Sequence, residues 1–293
     1  MKEKTIYALG FFDGVHLGHQ ALLAACRHLA AEKGFSAGVV TFADHPDTLV
    51  TGQTPLLINT VQQRQRLLLG FGIGQISVLP FDEELMNMPW QRFLENLMED
   101  GAAGFVCGDD FRFGFRGEGT ALLLADFCRE RNLPWAVVPA QSLDGIRVSS
   151  SHIRKLLEAG QMAQAVRFLG HPHTIAGTVV SGRQLGRTIG IPTANIQLPQ
   201  GVICPKHGVY ACKAVVDGQV YLAVTNIGNR PTVGGHHVTV EAWLLDFEGD
   251  LYGKELTLLF HEFLRPEEKF DSLGKLQAEI QKNALQVQKI FTN

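Results

Sequence analysis

The chain changes texture once, and that change limits its fold more than any single motif. Up to about residue 170, apolar β-rich runs alternate with amphipathic helical stretches. Thr5–Leu9, Ser36–Phe42, Gln75–Leu79, 103–107 and Trp135–Val138 read as strands, and 21–30, 60–69, 89–98 and 120–131 read as helices. Such alternation predicts a parallel sheet covered by helices on both faces. At Gly170-His171-Pro172-His173 the helical patterning stops. Short β-rich runs follow at 174–180, 209–216, 219–227, 238–247 and 255–263, with Asp217-Gly218 as a hairpin signal. Regularly spaced antiparallel runs predict a small closed barrel. A final helix is expected over 272–291, with Leu273, Leu276, Ile280, Ala284, Val287 and Phe291 on one face. The expected architecture is an α/β domain over 1–170 and an all-β barrel with a C-terminal helix over 171–293.

Composition excludes several functions. The formal charge of −3 gives no surface suited to coating nucleic acid. No apolar run approaches the roughly 20 residues of a membrane span. The five cysteines (Cys26, Cys107, Cys128, Cys204 and Cys212) are scattered, with no C-x-x-C pair, so neither a disulfide framework nor a structural zinc site is expected. Met1-Lys2-Glu3-Lys4 leads straight into a strand without a signal-peptide pattern. A cytoplasmic protein with no nucleic-acid or membrane partner is the expectation, and self-association is left open.

The stretch Leu9-Gly10-Phe11-Phe12-Asp13-Gly14-Val15-His16-Leu17-Gly18-His19-Gln20 joins the first strand to the first helix. The first backbone N–H groups of a helix lack internal partners and carry partial positive charge, so phosphate binds there readily. Gly14 and Gly18 admit a ligand close to the backbone, and two imidazoles spaced H-x-G-H can hydrogen-bond to or neutralise a phosphate under attack. In an open parallel sheet the ligand lies beyond the C-terminal strand ends. The loops at His16–His19, 44–46 and 108–114 should therefore converge on one crevice. Ser149, Ser150 and Ser151 precede a further helix with Arg154 and Lys155. They fit either ordinary capping or a seat for triphosphate oxygens.

In the second half, the run from Gly177 to Arg187 is rich in glycine and ends in cations, and Gly190-Ile191-Pro192-Thr193-Ala194-Asn195-Ile196 follows it. Glycines beside Arg183 and Arg187 suit the wrapping of a polyphosphate by backbone N–H groups. Thr193 and Asn195 offer neutral oxygens of the kind Mg²⁺ accepts when phosphates supply the charge. The same residues also fit an ordinary turn. Glu241 lies in an apolar run, on one face with Thr239 and Trp243. On an inner barrel face it would demand a partner or a task, and on an outer face it would be unremarkable.

With these residues in view, the chain resembles the bacterial bifunctional riboflavin kinase/FMN adenylyltransferases, or prokaryotic FAD synthetases, over nearly its whole length. Phe12-Asp13-Gly14-Val15-His16-Leu17-Gly18-His19 matches the family's H-x-G-H motif. Asp110-Phe111-Arg112-Phe113-Gly114 and Ser149-Ser150-Ser151-His152-Ile153-Arg154 match its other adenylyltransferase blocks. Pro192-Thr193-Ala194-Asn195, Asn226-Ile227-Gly228-Asn229-Arg230-Pro231-Thr232 and Glu241 through Asp246-Phe247 match its kinase blocks. The resemblance implies a Rossmann-like nucleotidyltransferase domain followed by a flavokinase barrel. Riboflavin and ATP would give FMN and ADP at the barrel, and FMN and ATP would give FAD and pyrophosphate at the first domain. The FMN phosphate would attack the α-phosphorus directly, with His16, His19, the helix N-terminus and Arg154 holding the charge and Mg²⁺ assisting the leaving group.

The resemblance further assigns Gly10, Phe11, Asp13, Gly18, His19, Asp110, Ser149, Ser150, Ser151 and Arg154 to ATP in the first domain. It assigns Gly182, Arg183, Gly186, Arg187, Thr193 and Asn195 to ATP in the second, with Thr193 and Asn195 also on the metal. His45, Phe111, Trp243 and Arg230 are assigned to flavin. Glu241 is the expected general base of the kinase step, and Asp246 a weaker candidate at the strand end. Three positions depart from the usual family pattern: Asp44 before His45-Pro46, Ile191 before Pro192, and Trp243 two residues after Glu241. The competing expectation is an H-x-G-H enzyme acting on another phosphorylated small molecule, with a non-catalytic barrel. A barrel that binds RNA would need a basic, aromatic-rich strand face, whereas 209–216 and 219–227 carry only Lys213 as a cation.

Overall fold

The computed structural model describes residues 3–182, Gly186, 190–232 and 235–292, with side chains excluded at 230–232 and 235–237. It divides into two compact units, Met1–Leu57 with Val61–Ser150, and Ile58–Thr60 with Ser151–Asn293.

In the first unit, β1 (Thr5–Leu9), β2 (Ser36–Phe42), β3 (Gln75–Leu79), β4 (Ala102–Gly108) and β5 (Trp135–Val138) form a parallel sheet in the order β3-β2-β1-β4-β5. Strands of such a sheet are buried on both faces, which is why they read as continuous apolar runs. Along β1, Ile6 and Ala8 join one core layer while Tyr7 and Leu9 join the other. The first layer is completed by Leu22, Leu23, Cys26 and Ala30 of α1 (Leu17–Lys33) and Leu68 of α2 (Val61–Gly70). The second takes Phe93, Leu94 and Leu97 of α3 (Trp90–Glu99) and Leu124, Phe127 and Cys128 of α4 (Ala121–Glu130). Each fully buried leucine, isoleucine or phenylalanine among them contributes about 1.5–3 kcal/mol. Helices therefore cover both faces, as the alternation predicts. The strand order reverses direction between β1 and β4, and at such a switch point a crevice opens beyond the strand ends.

The first helix is longer than expected. Its N-cap is His16, and it ends at Gly34, which adopts the left-handed conformation with φ 67°. The H-x-G-H stretch is thus the first turn of α1 rather than a loop ahead of it.

The second unit begins in α5 (Ser150–Ala159) and continues through α6 (Met162–Leu169) into the barrel. Its strands are β6 (His173–Thr178), β7 (Ala194–Gln197), β8 (Gly208–Val216), β9 (Gln219–Thr232), β10 (Gly235–Leu244) and β11 (Glu255–Arg265), paired antiparallel in the order β6-β11-β8-β9-β10-β7. The two edges nearly close, since the Val180 N–H donates to the Asn195 carbonyl at 2.8 Å. Tyr210, Cys212 and Ala214 of β8 and Val240, Ala242 and Leu244 of β10 alternate inward and are buried. On the outer face, Val209, Ala211 and Val224 pack against Ala284 and Val287 of α7 (Leu273–Thr292). Leu273, expected on that apolar face, stays 53% exposed at the helix start. The helix α6 and the four-residue strand β7 were not among the expected elements.

Candidate active sites

In the first unit, the polypeptide leaves β1 through a strained turn. Phe12, Gly14 and Val15 have φ of 60°, 79° and 39°. A positive φ at a β-branched residue is an outlier that the surroundings must hold in place. His16 then returns to extended backbone and caps α1, its Nδ1 accepting the His19 N–H at 3.3 Å. The two imidazoles stack with centroids 3.6 Å apart and 10° between their planes. Gly18 lets the His16 ring sit close, because a Cβ on it would lie 3.2 Å from that ring and the imidazole would have to give by a few tenths of an ångström.

Burial, the neighbouring His16 and the Arg64 guanidinium all hold the His19 imidazole well below its usual proton affinity. It is therefore neutral near pH 7 and can donate or accept a hydrogen bond without carrying charge. The carboxylate of Asp13 is buried in the same turn, and Ser150 Oγ donates to the Asp13 carbonyl at 2.9 Å. His45, in the loop after β2, meets the Phe11 ring edge-on at 4.7 Å. Gly10, directly after β1, donates its N–H to the Val40 carbonyl at 3.2 Å. After β4, Asp110 pairs with Arg147, and Phe111 stacks on Phe113 at 5.5 Å. The first amides of α1, beside the stacked imidazoles of His16 and His19, are arranged to receive phosphate oxygens.

The second unit carries two cavities that share Thr193. One, of about 270 Å³, is lined by Thr193, Val209, Val224, Asn226, Glu241 and Trp243 and roofed by Arg265, Glu267, Phe270, Leu276 and Ile280. The other, of about 330 Å³, is lined by Pro192, Thr193, Ala242, Leu244 and the turn from Phe247 to Tyr252. They lie on opposite faces of β10, because successive residues of a strand point to opposite sides. Glu241 is on the outer face of the barrel, yet it is not an ordinary surface carboxylate, because it lines a roofed cavity. Register places Asn195, Glu241, Asn226, Val209 and Arg265 directly opposite one another across five strands, close enough for cross-strand side chains to interact. Asn226 Nδ2 donates to Glu267 at 3.2 Å, and Arg265 Nε donates to Asn283 at 3.2 Å.

Asn195 is buried, and among the described residues its Oδ1 has no hydrogen-bond partner. Gly182 is the residue beside it, where a Cβ would lie 2.5 Å from the Asn195 amide nitrogen. An orphaned neutral oxygen next to Thr193 fits a cation whose charge is balanced by phosphate. Among the described residues, no group of three or more His, Cys, Asp or Glu is arranged to hold a metal, so phosphate oxygens would have to complete the shell. Asp246 sits exposed in a turn beyond β10 with φ 57°.

Other assignments fall differently. Arg183 and Arg187 lie outside the described residues, as does the Arg230 side chain. Gly186 lines the Glu241 cavity. Ser149 is half-buried in the first unit, whereas exposed Ser151 and half-buried Arg154 belong to the second. Burial pushes the thiols of Cys26, Cys107 and Cys128 up to about 11, 12 and 12, which suits them to packing rather than nucleophilic chemistry. Arg64 was missed by the sequence reading. It is completely buried on α2, with one N–H donated to the Phe11 carbonyl at 3.0 Å.

A candidate phosphate site at the switch point and a barrel with two cavities about one threonine fit a class: two-domain transferases acting on phosphorylated small molecules. Residues 1–152 match the family model for FAD synthetase, and residues 169–291 match that for riboflavin kinase. A bifunctional riboflavin kinase/FMN adenylyltransferase of Pseudomonas fluorescens is 39% identical, covering 94% of this chain and 89% of that one. The enzyme of the same description from Listeria monocytogenes is 33% identical over 98% and 92%. The chain belongs to the bifunctional riboflavin kinase/FMN adenylyltransferase family. A crystal structure described as a macrolide-efflux protein from Streptococcus pneumoniae has the same fold, with a TM-score of 0.89 at 28% identity over 98% of this chain and 95% of that one. Among the described residues, no helix is long and apolar enough to cross a membrane.

Proposed function

We propose that this chain phosphorylates riboflavin to FMN with ATP in the barrel and adenylylates FMN to FAD, with release of pyrophosphate, in the parallel-sheet unit. The observation that carries the kinase assignment is Thr193, shared by two cavities on opposite faces of β10. Riboflavin occupies the cavity of Glu241 and Trp243, and ATP occupies the cavity of Pro192 and Leu244. The ribityl hydroxyl and the γ-phosphate then meet near Thr193. Glu241 accepts the proton of the hydroxyl as it attacks, since an alcohol is a poor nucleophile near neutral pH. Thr193 and Asn195 would hold Mg²⁺, and Mg²⁺ bound there would neutralise phosphate charge. Gly182, with Arg183 and Arg187, serves the phosphates, whereas Gly186, expected there too, lines the cavity given to riboflavin.

In the first unit, the α1 amides and His19 stabilise charge on the phosphates as the FMN phosphate attacks, while His16 keeps α1 capped and His19 in register. The neutral state of His19 makes it a hydrogen-bond donor there. Gly10, Phe11, Asp13 and Asp110 belong to the ATP side and His45 and Phe111 to the flavin side of this reading.

The functional limit is proposed at 170/171. Packing groups 151–170 with the barrel, whereas the two family matches end at 152 and begin at 169. A cytoplasmic setting, with small-molecule substrates and no nucleic-acid or membrane partner, completes the proposal. The alternative of a non-catalytic barrel is disfavoured by the riboflavin kinase match over 169–291. The test is a time course with riboflavin and Mg-ATP, the flavins being separated by chromatography. FMN should appear first and FAD later; no conversion of riboflavin would overturn the kinase assignment.

A further inference from the structure

We propose that Arg64 is a positioning residue for adenylyl transfer, a buried clamp that fixes the turn presenting His16 and His19. The proposal rests on the reading of the β1–α1 turn as the adenylyl-transfer site. Arg64 lies on α2, far from that turn in sequence, and none of its surface reaches solvent. It donates one N–H to the Phe11 carbonyl at 3.0 Å and another to the Phe42 carbonyl. Its guanidinium carbon lies 4.4 Å from the centre of the Phe11 ring. The Phe11 carbonyl also accepts the Thr41 hydroxyl at 2.8 Å. One carbonyl is thus gripped from β2 and from α2 at once, immediately before the backbone enters three positive-φ residues.

Strained backbone of this kind costs of order 1–3 kcal/mol per residue and persists only where its surroundings over-determine it. Phe12 and Val15 are such residues, and the grip on Phe11 is the anchor at their entrance. The cost of burying the cation is visible: burial lowers the Arg64 proton affinity to about 10, partly opposed by the Asp13 carboxylate. A buried guanidinium spent on two backbone carbonyls, each at the mouth of a candidate-bearing loop, is better explained by loop geometry than by stability, to which buried charges add little. Phe42 opens the loop to His45 as Phe11 opens the turn to His16, so one side chain sets both.

The test uses the full chain with Arg64→Met, Arg64→Lys and Thr41→Val, measuring FMN-to-FAD and riboflavin-to-FMN conversion separately. Arg64→Met should lower kcat of adenylyl transfer by about 10²-fold, the scale of a misplacement near 1 Å. Its KM for ATP should change little, and its kinase rate should match wild type. Arg64→Lys should recover part of the loss, and Thr41→Val should cost about tenfold in the same kcat. A wild-type kcat in Arg64→Met, or a loss confined to KM, overturns the proposal. If Arg64→Met does not fold, Thr41→Val decides, and a wild-type rate there overturns it. His19→Ala separates this from the underlying reading: if His19→Ala transfers AMP normally, the site assignment fails, whereas a loss in His19→Ala with none in Arg64→Met defeats only the clamp.

Discussion

The two candidate sites are built in opposite ways. The first is almost contiguous: within ten residues, Gly10 to His19, the chain leaves a strand, passes a strained turn and enters a helix capped by an imidazole. The second is assembled across a barrel, with Thr193 before β7, Asn226 on β9, Glu241 and Trp243 on β10, and a roof of residues from 265 to 280. A contiguous site depends on backbone geometry, and the carbonyls of its turn accept hydrogen bonds from side chains distant in sequence, Thr41 and Arg64 at Phe11 and Ser150 at Asp13. A dispersed site depends on register, because a one-residue slip of β10 would turn Glu241 and Trp243 to the other face. Substitutions should therefore separate the two reactions cleanly, and the size of each effect should follow which kind of site it strikes.

The largest effect is expected from Glu241→Gln. The substitution keeps size and hydrogen bonding but removes basicity, so kcat of FMN formation should fall about 10²–10⁴-fold, the usual worth of a general base. FMN-to-FAD conversion should be untouched. Steady-state rates of both steps check this. Normal phosphorylation by Glu241→Gln, together with loss in Asp246→Asn, would move the base to the exposed turn. His19→Ala should come next, lowering adenylyl transfer by about 10²-fold, the scale for one charge-stabilising group, while FMN formation persists. A variant that loses both reactions equally would break the claim that the sites are independent.

The contrast also explains what was legible in the sequence. The parallel strands were readable because they are buried on both faces and so appear as uninterrupted apolar runs, as in Ser36–Phe42. The first candidate site was readable because its residues adjoin one another. Its helix start was set four residues late, because two glycines and two histidines look like loop, while His16 provides a cap that Ser or Asp would ordinarily supply. The helix at 162–169 was missed although Met162, Ala165 and Leu169 share a buried face, which was a usable signal. β7 was too short, and too near Pro192, to stand out. Arg64 was opaque for a different reason. It sits among Gln62, Gln63, Gln65 and Arg66, a run that reads as a solvated face, and only tertiary packing shows which cation is buried. Its phase with Leu68, one turn on, was the sole hint.

A smaller effect concerns pH and is best tested in the barrel. His173, at the start of β6, is completely buried, and among the described residues neither of its ring nitrogens has a hydrogen-bond partner. Burial, with His171 adding to it, lowers its pKa from 6.5 to about 3. The unfolded chain takes up a proton near pH 6.5, while the folded chain holds the ring neutral until about pH 3. The associated stability is full above pH 6.5 and is lost progressively as the pH falls towards 3, amounting to about 2 kcal/mol by pH 5. His19 should weaken the first unit in acid in the same sense. His173→Leu, which keeps the site apolar, should reduce the loss of melting temperature between pH 7.5 and pH 5 relative to wild type. Calorimetry at the two values decides, and an unchanged acid loss would show that His173 gains a proton partner in solution.

The smallest effect tests whether the dispersed site divides its labour between chemistry and fit. Trp243 lies two residues from Glu241 on the same face and lines the same cavity, packing against the outer cluster of Val209, Val224 and Ala284. It has no acidic or basic group, so it cannot take the ribityl proton; what it offers is a large aromatic surface for a flat ring system. Aromatic contacts of this kind are worth about 0.5–1.5 kcal/mol beyond the area they bury. Trp243→Ala should therefore raise KM for riboflavin by about tenfold or less, with kcat close to wild type because Glu241 and Thr193 are unchanged. Trp243→Phe should restore most of the affinity, since it keeps the ring and gives up only part of the area. Adenylyl transfer should not respond to either. If Trp243→Ala instead lowers kcat as Glu241→Gln does while KM stays constant, then Trp243 holds the carboxylate in place. Position and fit would then be inseparable in the barrel, and its site would behave like the contiguous one after all.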